Sequence, residues 1–382
     1  MTRTRVGAER LLDAGAYRES RVGLVTNPTG ILPDGRPTWR ALLEAGYRLE
    51  TLFGPEHGFR GDAQDAVEVR DEEFRGIRVH SLYGARERPD PRTVVDLDCV
   101  LYDVQDVGCR YYTYLYTLAY VMDVCEQTGT RVVVLDRPDP IRADITEGNP
   151  IASEYDNFLS GYGLAPRYGM TVGEFAHYLR DNYYPNADLD VWWMSGYERS
   201  FSFPDTGLPW PLPSPNLPSV DTAFLYPGTC LLEGTNLSEG RGTTRPFELF
   251  GAPWLNAEAL RDRLASCALP GVAFSELFFT PTFSKYRGEL CNGILVHVTD
   301  RDALVPVRLG ITLLSELAAV HSDEFAFKPL WEDESQFFLD RLAGGPLVRE
   351  MISSGENADA TYEAFAGNHQ EFLARRSPAL YY

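Results

Sequence analysis

From Arg21 to about Met194, short apolar runs alternate with segments of helical period, and no other feature constrains the fold as strongly. A strand buried on both faces reads as an unbroken apolar run, and such runs separated by helices build a parallel sheet covered on both sides. The runs are Arg21–Thr26 (RVGLVT), Leu49–Phe53 (LETLF), Ile77–Ser81 (IRVHS), Cys99–Val104 (CVLYDV), Arg131–Asp136 (RVVVLD) and Leu189–Trp193 (LDVWW). Helices are expected at Thr38–Ala45, Thr113–Thr128 and Thr171–Asn182, the last opening on the capping-box pattern Thr171-Val172-Gly173-Glu174. The expected fold class is α/β, with a Rossmann-like parallel-sheet domain.

Residues 201–220, FSFPDTGLPWPLPSPNLPSV, hold six prolines and almost no periodicity, so they read as an extended connection. The expected division is a Rossmann-like domain at 1–205 and a smaller α+β domain at 206–382. Beyond the connection come an apolar segment near Ala223–Leu232, a helix near Ala257–Cys267, a strand at Gly293–Thr299 and a helix at Val307–Val320. The C-terminal part is expected to be helical with an aromatic tail.

A formal charge of -20 opposes binding to nucleic acid or to an anionic membrane, since both need a basic footprint. The six cysteines show no CxxC spacing and several lie in apolar runs, which predicts buried free thiols in a reducing compartment. The opening MTRTRVGAERLLDAG has no apolar signal-peptide core, so a cytoplasmic location is expected.

In an open parallel sheet, ligands gather at the carboxyl ends of the strands. Four strand exits carry polar groups: Asn27 after the first, Glu56 and His57 after the second, Gln105, Asp106 and Arg110 after the fourth, and Asp136 to Asp139 after the fifth. The chain has no G-x-G-x-x-G, no G-x-x-x-x-G-K-[ST], no G-x-S-x-G and no metal-ligand spacing among its histidines. Neither a cofactor nor a metal is therefore expected. What remains is carboxylates, amides, arginines and aromatics, the vocabulary of a carbohydrate site.

In GPEHGFRG, Gly54, Pro55 and Gly58 fix a tight backbone that sets Glu56 in a partly desolvated cleft as a proton donor; the plainer reading is a loop carboxylate paired with Arg60. His57 is expected to position substrate. Gln105 and Arg110 would hold hydroxyl or carboxylate groups, with a tyrosine such as Tyr112 stacked on a sugar ring; the plainer reading makes Asp106 a helix cap. Residues 233–247, EGTNLSEGRGTTRPF, read as a binding loop carrying Asn236, Arg241 and Thr243. Glu233 and Glu239 compete for the role of second catalytic carboxylate, and an ion pair with Arg241 or Arg245 is the plainer role for Glu233.

GPEHGFRG, QDVGCRYYTY, LDRPDP, PSPNLPSVDTA and LLEGTNLSEGRGTTRPFELFGAPW together resemble the NamZ-type exo-β-N-acetylmuramidases, glycoside hydrolase family 171. The resemblance runs from about Val22 to the terminal Leu380-Tyr381-Tyr382. It implies a Rossmann-like domain, a smaller second domain, an active site between them, and release of terminal N-acetylmuramic acid from the non-reducing ends of peptidoglycan fragments. It further implies Glu56 as catalytic acid, with His57, Gln105, Arg110, Glu233, Asn236, Glu239 and Arg241 lining the pocket. Glycoside cleavage needs such an acid and something to stabilise an oxocarbenium-like centre, be it a second carboxylate or the substrate's own 2-acetamido group. The lactyl carboxylate would pair with Arg110 or Arg241.

Overall fold

The computed structural model describes residues 3–61, 70–84, 86–157, 160–330, 333–367 and 369–382. The apolar runs of the first half become β1 (Arg21–Thr26), β2 (Arg48–Gly54), β4 (Ile77–Ser81), β5 (Cys99–Asp103), β6 (Arg131–Leu135) and β7 (Leu189–Trp192), each within about a residue of its expected bounds. A further strand, β3 (Glu72–Phe74), is an edge piece with two carboxylates and no apolar run to announce it. The sheet order is β3-β4-β2-β1-β5-β6-β7, parallel throughout except for the β3–β4 pair. From β1 the chain winds outward through β2 and β4, then returns to β5 and winds the other way through β6 and β7, which is the doubly wound Rossmann-like arrangement.

Helices cover both faces: α1 (Gly7–Ala14), α2 (Thr38–Glu44), α3 (Pro91–Val94), α4 (Tyr114–Thr128) and α5 (Val172–Asn182). The capping box at α5 forms as expected, with Glu174 N donating to Thr171 Oγ1 at 3.2 Å and Thr171 N to Glu174 Oε2 at 3.0 Å. That pairing satisfies two amides that would otherwise lack partners at the helix start.

In the second half, α6 (Val220–Thr229) runs into a 3₁₀ turn, Cys230–Gly234, so the apolar segment near Ala223–Leu232 is helical. An antiparallel sheet of β8 (Leu249–Ala252), β9 (Val272–Phe279) and β10 (Cys291–Val298) in the order β8-β10-β9 packs with α7 (Ala257–Ser266) and α8 (Pro306–Val320). The small ribbon β11 (Pro329–Leu330) and β12 (Asp333–Phe337) leads to α9 (Phe338–Ala343), α10 (Leu347–Ser353), α11 (Ala358–Ala366) and α12 (Gln370–Arg376). No helix among the described residues is long and apolar enough to cross a membrane. Cys99, Cys109, Cys125, Cys230 and Cys291 are buried free thiols, and Cys267 is half-buried and also free.

The two halves share one core. Val25, Tyr102 and Leu118 of the sheet domain belong to the same buried cluster as Phe224, Ile311 and Leu339 of the second. The chain's last residues add a clasp: Tyr381 stacks on Trp193 with centroids 4.0 Å apart, and Met194 N donates to Tyr382 Oη at 2.7 Å. Arg376 Nη1 donates to the carbonyls of Tyr168 and Gly169 at 3.1 and 2.9 Å. Domains tied this closely hold whatever lies between them in fixed geometry.

Candidate active site

The exit of β2 is shaped by glycine. A Cβ on Gly54 would stand 2.5 Å from Phe59 N, so no larger residue fits the return of the loop. Gly58 N donates to Pro55 O at 2.9 Å, closing a tight turn in which His57 takes φ 67° and Gly58 φ 79°. A left-handed conformation at a non-glycine residue costs on the order of 1 kcal/mol and concentrates at functional positions. The turn leaves Glu56 and His57 each 7% exposed, in the wall of a cavity between the two domains.

The segment after β5 lies opposite and carries Tyr111, Tyr112 and Thr113 to the same cavity. Thr113 Oγ1 donates a short hydrogen bond to Glu56 Oε2. Arg60, the plainer partner for Glu56, pairs with Glu72 at 2.7 Å. From the second domain come Cys230 and Glu233 on the 3₁₀ turn and Arg241 and Phe247 on the loop beyond it. Arg241 donates to Glu233 Oε1 from Nη2 at 2.6 Å and from Nε at 3.2 Å, and its guanidinium lies 5.0 Å from the centre of the Phe247 ring. The plainer reading of Glu233 as an ion-pair partner thus holds, and the pair lines the cavity. Burial and nearby Glu233 raise the Cys230 thiol well above its ordinary pKa, so it is an inert wall group and not a thiolate.

Of the residues singled out in the sequence, the structure brings Glu56, His57, Tyr112, Glu233 and Arg241 together around this cavity. Glu239 lies behind them, 3.4 Å from Arg241 Nε and 3.1 Å from Lys285 Nζ. The expected convergence of four strand exits is met by two. Asn27 accepts from Thr29 N and Oγ1 and donates to Tyr114 Oη at 2.8 Å. Gln105 Nε2 donates to the carbonyls of Pro138 and Asp106 at 2.7 and 2.8 Å. Asp106 is not a helix cap: its Oδ2 accepts from Gly108 N at 2.7 Å and from Tyr168 Oη, and α4 starts at Tyr114.

Arg110, expected to meet a substrate carboxylate, instead donates to the carbonyls of Asn149, Leu164 and Leu342 at 3.0, 2.8 and 2.6 Å. Asn236 clamps the 324–326 segment through Glu324 O and Ala326 N, and Thr243 donates to Gly240 O at 2.6 Å. The physical reason is common to all of them. Loops folded against a sheet end bury carbonyls and amides, and these side chains supply the missing partners.

The crevice beside β1 and β5, where doubly wound sheets hold nucleotides, is filled by protein. Arg137 forms a bidentate pair with Asp103 at 2.6 and 3.0 Å, and Gln105 N donates to Thr29 Oγ1 at 2.9 Å. Among the described residues no group of three or more His, Cys, Asp or Glu side chains could hold a metal ion. Sequence reasoning missed Thr113, Ser214, Asn216, Tyr226 and Phe247 as wall residues. A signal existed for Ser214 and Asn216, two polar residues inside the proline-rich connection whose rigid backbone presents them to the cavity.

A doubly wound sheet domain, a smaller domain seated on its strand exits and a carboxylate-walled cavity between them define a two-domain glycosidase. Models of the N-terminal and C-terminal parts of the exo-beta-N-acetylmuramidase NamZ match residues 22–221 and 224–382. The chain belongs to that family. It is 41% identical over 365 residues to the peptidoglycan beta-N-acetylmuramidase NamZ of Bacillus subtilis (strain 168), a match covering 95% of this chain and 87% of the relative. Crystal structures of two DUF1343 family proteins from Bacteroides fragilis NCTC 9343 share the fold: one at TM-score 0.91 and 31% identity over all of both chains, the other at TM-score 0.79 and 27% identity over all of this chain and 99% of the other.

Proposed function

We propose that the protein releases terminal N-acetylmuramic acid from the non-reducing end of peptidoglycan fragments, muropeptides or disaccharides, in the cytoplasm. Residues 1–205 form the catalytic domain and 206–382 the domain that closes over it. The observation that carries this reading is the meeting of Glu56 and Glu233, one from each domain, in a single cavity. Glu56, shielded from solvent and oriented by Thr113, is the general acid that protonates the leaving oxygen. Glu233 sets negative charge against the oxocarbenium-like centre, with Glu239 fixing Arg241 from behind. Arg241 supplies the cation for the lactyl carboxylate, and His57 positions the sugar.

Hydrolysis of 4-nitrophenyl β-N-acetylmuramide beside the corresponding glucosaminide tests the reading directly: release from the muramide and little from the glucosaminide is expected. Glu56→Gln should slow cleavage of an unactivated disaccharide roughly 100- to 10,000-fold with the thermal midpoint retained. Wild-type turnover in that variant would remove Glu56 from the chemistry.

A further inference from the structure

Of the 35 lysine and arginine residues only Lys285 and Lys328 are lysines, and Lys285 stands behind the residues that line the cavity. Its ammonium meets four oxygens: Leu237 O at 2.8 Å, Glu239 Oε2 at 3.1 Å, Glu233 O at 3.3 Å and Leu232 O at 3.4 Å. Two of these, Leu232 O and Glu233 O, belong to the 3₁₀ turn that brings Glu233 to the cavity. A compact ammonium with three rotatable donors suits acceptors gathered around one point better than the planar fork of a guanidinium. The position therefore calls for lysine in a chain that uses arginine almost everywhere else.

The loop between β9 and β10 that delivers this side chain is strained. Ser284 and Tyr286, on either side of Lys285, both take left-handed backbone, with φ 67° and 56°. Each costs on the order of 1 kcal/mol and persists only where surrounding structure enforces it. The enforcement comes from the 233–247 loop: Thr282 N and Oγ1 both donate to Gly242 O at 2.9 Å, and Tyr286 Oη donates to Asn236 O at 2.8 Å. Lys285 is thus fastened to the site loop on both sides.

Charge points the same way. Glu239 is 3% exposed and bridges two cations, its Oε1 3.4 Å from Arg241 Nε and its Oε2 3.1 Å from Lys285 Nζ. Arg241 also holds Glu233 at 2.6 Å. Without Lys285 both carboxylates would bear on one guanidinium, and little positive field would be left for an arriving anion. We propose that Lys285 is a positioning residue: it fixes the turn of Glu233 and neutralises Glu239, so that Arg241 stays available to a carboxylate on the substrate. This rests on the reading that Arg241 receives the lactyl carboxylate.

The test is calorimetric titration of wild type and variants with N-acetylmuramic acid and with N-acetylglucosamine, which lacks the lactyl group. Lys285→Met should weaken binding of the acid sugar about 10-fold and leave N-acetylglucosamine unchanged. Adding Glu239→Gln should restore acid-sugar affinity to within about threefold of wild type, because the charge that Lys285 held is gone. Lys285→Gln, which keeps a donor for Leu237 O without the charge, carries the same expectations and replaces the methionine variant if that one does not fold. A lowered thermal midpoint is expected from a structural lysine too, so the selectivity and its recovery decide. Equal losses on both sugars, or a loss that Glu239→Gln does not recover, would overturn the proposal. Selective loss and recovery in a protein that does not turn over 4-nitrophenyl β-N-acetylmuramide would remove the hydrolase reading and keep this one. Absence of acid-sugar binding in the wild type would overturn this proposal whatever the turnover, and together with absent turnover would remove both.

Discussion

Arg241 and Glu233 form the polar floor of the cavity: Nη2 stands 2.6 Å from Oε1, and both side chains are largely buried, at 12% and 17% exposure. Glu239, 3% exposed, flanks the same guanidinium at 3.4 Å and is itself held by Lys285. Two carboxylates therefore flank one guanidinium, and Glu233 leans on it more than Glu239, which Lys285 also holds. Arg241→Met should lower stability by roughly 3 kcal/mol, because a broken buried pair leaves charge uncompensated, and should raise KM for the muramide. A denaturant midpoint and a Michaelis curve check the two halves separately. An unchanged KM would place the lactyl carboxylate elsewhere.

Thr113 Oγ1 donates to Glu56 Oε2 and so fixes the direction of that carboxyl group. Removing the contact with Thr113→Val should lower kcat about 10-fold through lost orientation. Thr113→Ser keeps the donor and should restore the rate. A valine variant with wild-type kcat would show that the contact is structural only.

The close crossing of α6 and α8 sets the position of the 3₁₀ turn that carries Glu233. A Cβ on Gly228 would lie 1.9 Å from Pro306 O and 2.9 Å from Gly310 N, so the helix backbones touch there. Gly228→Ala should cost about 3 kcal/mol and also slow turnover, since α6 can relieve the clash only by shifting the turn. Calorimetry and a rate assay on the same preparation test this. A destabilised variant with wild-type kcat would mean the turn moves independently of the helix.

The sheet was legible because parallel strands buried on both faces, such as RVVVL at Arg131–Leu135, have no polar alternation to confuse the reading. β9, Val272–Phe279, was not: most of its residues are half-buried or exposed, so tertiary pairing rather than sequence pattern makes it a strand. Glu56 was legible because Gly54 and Gly58 mark a turn that only close backbone approach requires. Arg110 and Gln105 misled for a related reason. A buried brace and a substrate ligand are the same residue types at the same strand exit, and only three-dimensional partners such as Leu342 O and Pro138 O tell them apart.

Beneath the site, Asp106 and Asp139 are buried near one another, and burial pushes their carboxyls up to about 7 and about 6. Tyr168 and Gly108 donate to Asp106, while Ile141 N donates to Asp139, whose carboxylate also feels Arg167. An unfolded aspartate titrates near 3.9, so between about pH 4 and 7 the folded state holds protons that the unfolded chain has released. Stability from this source is complete below that window and drains away as pH rises through it, at up to about 1.4 kcal/mol per pH unit for each discharging group. Asp90, lowered to about 2, is ionised throughout and adds no slope there. His177, His321 and His369, depressed by burial, tilt the other way as pH passes their range. The informative quantity is thus the difference between wild type and Asp106→Asn, which mimics the protonated carboxyl at every pH. The wild-type thermal midpoint should fall further than that of the variant between pH 5 and pH 8, and parallel curves would show that Asp106 stays ionised in the fold.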